Sequence, residues 1–121
     1  MKSEASRAAV AKSRRLVVKI GSSTIANDRD VITRLARDVA SAVKKGLSCV
    51  IVSSGAIALG TKKLGFRSRP REMAKLQAAA AAGQSVLVRA YEEAFQSLDI
   101  PVAQVLLTHA DLADRTRGNN A

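Results

Sequence analysis

Aromatic residues are almost absent from this 121-residue chain, which has no tryptophan, one tyrosine and two phenylalanines. Hydrophobic residues still make up 47% of the sequence, so we expect a core that is aliphatic and rich in alanine. The shortage also bears on partners, because proteins that bind single-stranded nucleic acid stack bases on aromatic side chains. The formal net charge of +10 favours nucleic-acid binding on its own, but no nucleic-acid motif accompanies it. An anionic nucleotide substrate explains part of the charge equally well.

Cysteine and histidine are just as scarce, with one of each. The lone Cys49 permits no disulfide within the chain, which suits a reducing cytoplasm. No cysteine or second histidine is placed to share a metal ion with His109. We therefore expect a local turn or packing role for His109 and no protein-bound metal site.

Long apolar runs are missing too. None approaches the length of a membrane span, and residues 1–14 lack the hydrophobic stretch of a secretory signal. These first residues are rich in Ala, Ser, Lys and Arg, so we expect a disordered basic tail there and a single domain at 15–121. The protein is accordingly expected in the cytoplasm, without a membrane partner.

Two short stretches carry the signals for function, and the first is residues 16–23, LVVKIGSS. Its apolar, mostly β-branched residues predict a buried strand. A lysine in such a run, Lys19, is costly unless its charge meets an anion, and Gly21 lets the backbone approach a ligand closely. Ser22 adds a backbone N–H of the kind that cradles phosphate. A strand-end lysine before an ordinary turn is the open alternative for this stretch.

The second stretch is residues 50–58, VIVSSGAIA, in which Ser54, Gly55 and Ala56 follow an apolar strand and open a helix-like segment. A helix N-terminus presents free N–H groups and positive dipole to an anion. Because parallel strands end at the same edge of a sheet, the two turns are expected side by side. Together they favour a site for two anions.

The order of elements predicts an α/β fold with a mostly parallel sheet between helical layers, incomplete as it stands. Strand, helix and strand in succession form a βαβ unit with a right-handed crossover. The predicted elements are strand 16–20, helix 31–45, strand 48–53, a short helix from 55 to about 60, a long helix at 72–97 and strand 102–107. A last helix is capped by Thr108 or Asp111. Three strands are few for such a sheet, so the chain is interpreted as the front part of a larger domain.

The alanine run at residues 78–82, followed by Gly83, leaves a choice of partners for the long helix. Small residues let another helix approach closely, either from a second subunit or from a helical layer of the same chain. The remaining possibility is that the helix simply lies on its own sheet.

Familiar glycine motifs are absent. The chain contains neither G-x-x-x-x-G-K-[ST] nor G-x-G-x-x-G, which excludes a P-loop and a dinucleotide-binding fingerprint. No glycine stands two residues before Ser54, so the nucleophile elbow G-x-S-x-G is excluded as well.

Four segments in order resemble the amino-acid kinases and, within them, the glutamate 5-kinase family. Residues 17–23 resemble its opening V-V-K-[IL]-G-[ST]-S, and residues 50–58 its V-[IL]-V-[ST]-S-G-A-[IV]-A. Residues 77–85 (QAAAAAGQS) and 104–108 (QVLLT) are similar to later segments. The resemblance covers about residues 15–121 and implies the N-terminal part of an amino-acid kinase domain, an αβα sandwich.

The resemblance implies transfer of the γ-phosphoryl group of ATP, with Mg²⁺, to the side-chain carboxylate of glutamate, which opens proline biosynthesis. It implies that Lys19 is catalytic and holds the transferred group, that Gly21 and Ser22 contact ATP, and that residues 54–56 receive glutamate. The family's remaining catalytic groups lie beyond residue 121, so the isolated chain is expected to be inactive. A homo-oligomer is expected for the complete enzyme.

Two other interpretations stay open at this point. The kinase half of the bifunctional pyrroline-5-carboxylate synthase resembles the same segments. A non-catalytic, basic binding fragment is the alternative from a different class.

Overall fold

The structure, a computed structural model, describes residues 4–28 and 30–120. Its helices and strands, in chain order, are α1 (Glu4–Lys12), β1 (Arg15–Ile20), α2 (Ser22–Asn27), α3 (Val31–Lys44), β2 (Ser48–Ser53), α4 (Ala56–Lys63), α5 (Met73–Gln96), α6 (His109–Ala113) and α7 (Arg115–Asn120).

Strands β1 and β2 form a parallel pair whose register joins Arg15 to Ser48 at one end and Ile20 to Ser53 at the other. Helix α3 connects them, with an apolar stripe buried on one side, and Gly46 follows it with a φ of 85°. A positive φ costs glycine little, which is why glycine ends helices in this way. The predicted βαβ unit and the bounds of β2 are confirmed, and β1 begins one residue earlier than predicted, at Arg15.

One face of the sheet packs against helices α3 and α5. The buried side chains are mostly aliphatic: Ile20, Ile25, Ile32 and Leu87 in one cluster, Ala36 and Val39 with Phe95 in another. The expected aliphatic core is therefore present, with one exception. Phe95 is only 1% exposed and is the largest fully buried side chain among the described residues. An aromatic ring buries more apolar area than any aliphatic side chain, so this single residue anchors α5 to α3 and β2.

The opposite face of the sheet is exposed. Side chains alternate along both strands, and the outward positions Val17, Val50 and Val52 are 71%, 58% and 47% exposed. The α/β class with a parallel sheet is confirmed. Within residues 4–28 and 30–120, a helical layer covers only one of the two faces, so the fold is an incomplete version of the expected sandwich.

The predicted third strand is wrong. Residues 102–107 are extended but pair with no strand, and the sheet described has two strands, β1 and β2. A cleft of about 410 Å³ separates this segment from β2 and α5, and Val105 and Leu106 are 67% and 73% exposed. An apolar run indicates that a segment tends to be buried. A strand also needs a hydrogen-bonded neighbour, and the apolar run does not specify one.

The first and last of the described segments are helical. Residues 4–12 form helix α1 with no buried residue, in place of the disordered tail expected there. The division of the chain at residue 14 stays a prediction. Near the other end, Thr108 caps α6 as expected: its hydroxyl accepts from the Asp111 N–H, and the Asp111 carboxylate accepts from the Thr108 N–H in a capping box. His109 is the exposed first residue of that helix.

Helices α4 and α5 approach so closely that backbone touches backbone at two glycines. A Cβ added to Gly60 would lie 1.7 Å from the carbonyl oxygen of Ala79, and one added to Gly83 would lie 1.6 Å from that of Ala56. Of the partners open to the long helix, another helix of this chain is the one observed. The predicted end of α4 near Gly60 is wrong, because that glycine serves the crossing and the helix continues to Lys63.

We expect Gly60→Ala to lower the free energy of unfolding by about 3 kcal/mol or more, since the new methyl group collides with a backbone carbonyl that cannot move alone. The helix propensity gained from alanine, about 1 kcal/mol, is too small to compensate. Urea unfolding followed by circular dichroism measures the difference. Gly21→Ala is the matched control, because the space around Gly21 is open and its φ is negative. Equal stability of the two variants would contradict the proposed role of the crossing.

Candidate functional site

The two small-residue turns are held together by the sheet. Ile20 and Ser53 are partners in the register and are also the last residues of β1 and β2. One residue further on, the N–H of Ser54 donates to the carbonyl oxygen of Ile20 at 3.1 Å. The two strands therefore end level with one another, and the turns lie next to each other as the sequence predicts.

The turn after β1 leads directly into helix α2, which begins at Ser22. Gly21 precedes it with φ −78° and ψ 158°, a conformation open to any residue. A Cβ added to Gly21 would meet nothing within 4 Å. Neither backbone conformation nor packing of the described residues requires glycine here, so its small size leaves room for something outside the chain.

The turn after β2 requires its glycine for internal reasons. Gly55 has a φ of 114°, and a Cβ there would lie 3.0 Å from Cγ2 of Ile25. The carbonyl oxygen of Gly55 accepts from the N–H of Leu59 at 3.0 Å, which starts the hydrogen bonding of α4. The N–H groups of the first turn, at residues 56–58, lack such partners within a helix and are available to a ligand.

The two turns face a shared cleft of about 530 Å³. Four residues predicted from the sequence line it, namely Ser22, Ser54, Gly55 and Ala56. The other lining residues are Ser23, Ala26, Ile57, Ala58, Arg69 and Ala80. Helix α4 is fastened beside the cleft because Nζ of Lys62 donates to the carbonyl oxygen of Ala26, the residue before the end of α2, at 3.1 Å. Small side chains and the N–H groups at the start of α4 are features that suit a polar, anionic ligand.

Lys19 and Gly21 are not among the residues that line this cleft. Lys19 is exposed, pairs with Val52 in the register and lies on the uncovered face of the sheet, one residue before β1 ends. The structure thus brings four of the six predicted site residues into one cleft and places Lys19 outside it, on the uncovered face of the sheet.

Arg69 lines the cleft and is the residue that sequence reasoning missed. It appears in the sequence only as part of a basic loop, between Phe66 and Pro70, and no periodicity or motif distinguishes it from its charged neighbours. Its place in the cleft depends on the crossing of α4 and α5, which the local sequence does not reveal.

Tyr91 connects α5 to the end of β2. Its hydroxyl donates to Oγ of Ser53 at 2.9 Å, and that serine hydroxyl donates in turn to the carbonyl oxygen of Ser54 at 3.3 Å. Partial burial raises the pKa of Tyr91, and the hydrogen bond with Ser53 offsets part of that rise. The chain of hydrogen bonds fixes the residue that immediately precedes Ser54 and Gly55.

The cleft offers no protein carboxylate to a magnesium ion, since none of the lining residues is acidic. Protein sites for Mg²⁺ supply one or two carboxylates besides the phosphates of a substrate. Across residues 4–28 and 30–120, no three His, Cys, Asp or Glu side chains are grouped so as to hold a metal ion. These residues therefore do not fit a resident Mg²⁺ site.

Among the helices at residues 4–28 and 30–120, none has the length and hydrophobicity needed to cross a membrane.

The two parallel strands end level at a cleft of small residues and are joined by a helical crossover. Open α/β sheets bind their ligands at this carboxyl edge. A family model described as "Amino acid kinase family" matches residues 14–121. The chain belongs to the amino acid kinase family, which confirms the resemblance drawn from the sequence.

The chain is 52% identical over 120 residues to proteins named glutamate 5-kinase from Paraburkholderia phymatum, Burkholderia thailandensis and Burkholderia ambifaria. In each case the match covers 95% of this chain and 32% of the relative. The chain thus spans about a third of the length of these curated relatives.

Tyr91→Phe is expected to lower the free energy of unfolding by about 1 kcal/mol near neutral pH, because one partly buried hydrogen bond is lost. The difference between the two proteins should shrink above about pH 10. Tyr91 stays neutral to higher pH in the folded state than in the unfolded state, so ionisation of the unfolded chain destabilises only the tyrosine protein. Urea unfolding at about pH 8 and about pH 11 measures both effects. A difference that stays the same at the two pH values would contradict this account of Tyr91.

Proposed function

We propose that this chain forms the first part of a glutamate 5-kinase, which transfers the γ-phosphoryl group of ATP to the side-chain carboxylate of glutamate. The observation that carries the proposal is the cleft shared by Ser22 and residues 54–56, at the level ends of two parallel strands. The similarity to proteins of that name supports it, as does membership of the kinase family. The product, γ-glutamyl phosphate, opens proline biosynthesis, and the cytoplasm is the location in keeping with this activity.

The reaction forms a bond between a γ-carboxylate oxygen of glutamate and the γ-phosphorus of ATP. It breaks the bond from that phosphorus to the oxygen shared with the β-phosphate, and ADP leaves with the electron pair. Such a transfer needs in-line positioning and neutralisation of charge more than covalent help from the protein. A lysine and free backbone N–H groups are suited to this task.

The two turns divide the work. Lys19 holds the transferred phosphoryl group, while Gly21 and Ser22 contact ATP through their backbone. The open space beside Gly21 supports this assignment, since no contact within residues 4–28 and 30–120 explains a glycine there. Residues 54–56 receive glutamate through the Ser54 hydroxyl and the N–H groups at the start of α4.

The complete activity requires more than the described residues. They carry no carboxylate in the cleft, so any protein ligands of the Mg²⁺ that accompanies ATP in kinases lie elsewhere. We propose that the remaining catalytic groups belong to the two thirds of the kinase that this chain does not match, and that the whole enzyme is a homo-oligomer. The chain alone is then expected to lack glutamate kinase activity.

A chimera provides the test protein: this chain joined to the part of the Paraburkholderia phymatum relative that it does not match. In that chimera, Lys19→Ala should lower kcat by about 10²-fold or more, because a fixed charge at the transferred group is lost. Steady-state release of ADP, dependent on glutamate, measures the effect. Lys44→Ala, another exposed lysine at the end of α3, should leave kcat unchanged. If Lys19→Ala altered stability alone, Lys19 would be an ordinary strand-end residue.

Ser54→Ala in the same chimera should raise the glutamate KM by roughly 5- to 100-fold, since the loss of one hydrogen bond to a charged substrate costs about 1–3 kcal/mol. The KM for ATP should change little. Kinetics with each substrate varied separately distinguish the two effects, and Ser41→Ala, an exposed serine of α3, serves as the control. A rise in the KM for ATP alone would show that the two turns have the opposite roles.

A further inference from the structure

We propose that Arg69 binds the α-carboxylate of the amino-acid substrate, the carboxylate that is not phosphorylated, and so selects α-amino acids as acceptors. The inference rests on the proposed function, because it assigns a role to a residue of the same cleft.

Arg69 belongs to the segment that joins α4 to α5, residues 64–72. The first part of this segment is fastened to α4. The Leu64 N–H donates to the carbonyl oxygen of Gly60 at 2.9 Å, and the Phe66 N–H donates to that of Thr61 at 2.9 Å. Pro70 follows immediately and fixes its own φ. The segment is thus held to the C-terminal end of α4 as far as Phe66, three residues before Arg69.

Its charge is not used within the described chain. Arg69 is the only residue with a formal charge among those that line the cleft, and the ion pairs and hydrogen bonds observed at residues 4–28 and 30–120 do not include its guanidinium. The nearest acidic residue in sequence, Glu72, pairs instead with Lys75 at 2.8 Å. Arg69 is exposed, so its guanidinium is accessible to an anion that enters the cleft.

The side of the cleft from which Arg69 enters decides which anion it binds. Ser22 and Ser23 come from the turn assigned to ATP, whereas Arg69 comes from the segment between α4 and α5, and Ala80 comes from α5. If glutamate directs its γ-carboxylate towards the turn after β1, its α-carboxylate lies in another part of the cleft. The planar guanidinium offers two parallel N–H donors to a carboxylate, a geometry that lysine does not reproduce.

The experiment compares Arg69→Gln with Arg71→Gln in the chimera. Arg71 is an exposed arginine of the same segment that does not line the cleft. Two acceptors are used: glutamate and 4-aminobutanoate, which is glutamate without its α-carboxylate. We expect Arg69→Gln to raise the glutamate KM by about 10- to 100-fold, as for the loss of a hydrogen-bonded charge, with the KM for ATP unchanged. The preference for glutamate over 4-aminobutanoate in kcat/KM should fall by about tenfold or more, and Arg69→Lys should recover it only in part.

Calorimetric titration of glutamate into the same proteins separates this inference from the proposed function. If the parent chimera binds glutamate but does not phosphorylate it, the proposed function fails, and weaker binding to Arg69→Gln alone still supports the role of Arg69. Equal glutamate binding by Arg69→Gln and the parent would overturn that role while leaving the kinase assignment intact. The role would also be overturned if kcat/KM fell equally for glutamate and 4-aminobutanoate, or if only the KM for ATP rose. A parent that neither binds nor phosphorylates glutamate overturns both.

Discussion

The close crossing of α4 and α5 is the constraint on which the rest of the arrangement depends. With no side chain at Gly60 or Gly83, the two helix backbones touch. This contact fixes where the first turn of α4 meets the end of β2, and it brings Ala80 of α5 to the same cleft. It also sets the position of the segment between the two helices, from which Arg69 enters. The site is therefore shaped by a contact between small residues that do no chemistry themselves.

The elements that follow one another closely along the chain could be predicted from the sequence. Both strands, α3 and the long α5 have strong apolar patterns, and glycine ends α3 where the pattern stops. The adjacency of the two turns could be predicted as well, because a parallel register carries consecutive strand ends to one edge of the sheet. The sequence therefore predicts Ser22, Ser54, Gly55 and Ala56, each of which lies within three residues of the end of a strand.

What could not be predicted depends on contacts between distant segments. The apolar pattern at residues 102–107 indicates a preference for burial but does not show which strand the segment would pair with. In the structure the segment is extended and unpaired. A glycine such as Gly60 can either end a helix or allow a second helix to pack closely against it, and the sequence does not distinguish these roles. The contact with the backbone of Ala79 shows that Gly60 has the second role. Arg69 is one of several arginines in a basic loop, and its place in the cleft follows from the helix crossing rather than from any local signal.

The uncovered face of the sheet has a consequence for how copies of this chain behave in solution. Val17, Val50 and Val52 present an apolar surface beside an open strand edge, the combination that promotes edge-to-edge aggregation. The net charge of +10 opposes it, because like-charged molecules repel one another over about 10 Å at 0.1 M salt. Added salt shortens that range while leaving the attraction between valine surfaces in place. We therefore expect the colloidal stability of the chain to fall as ionic strength rises.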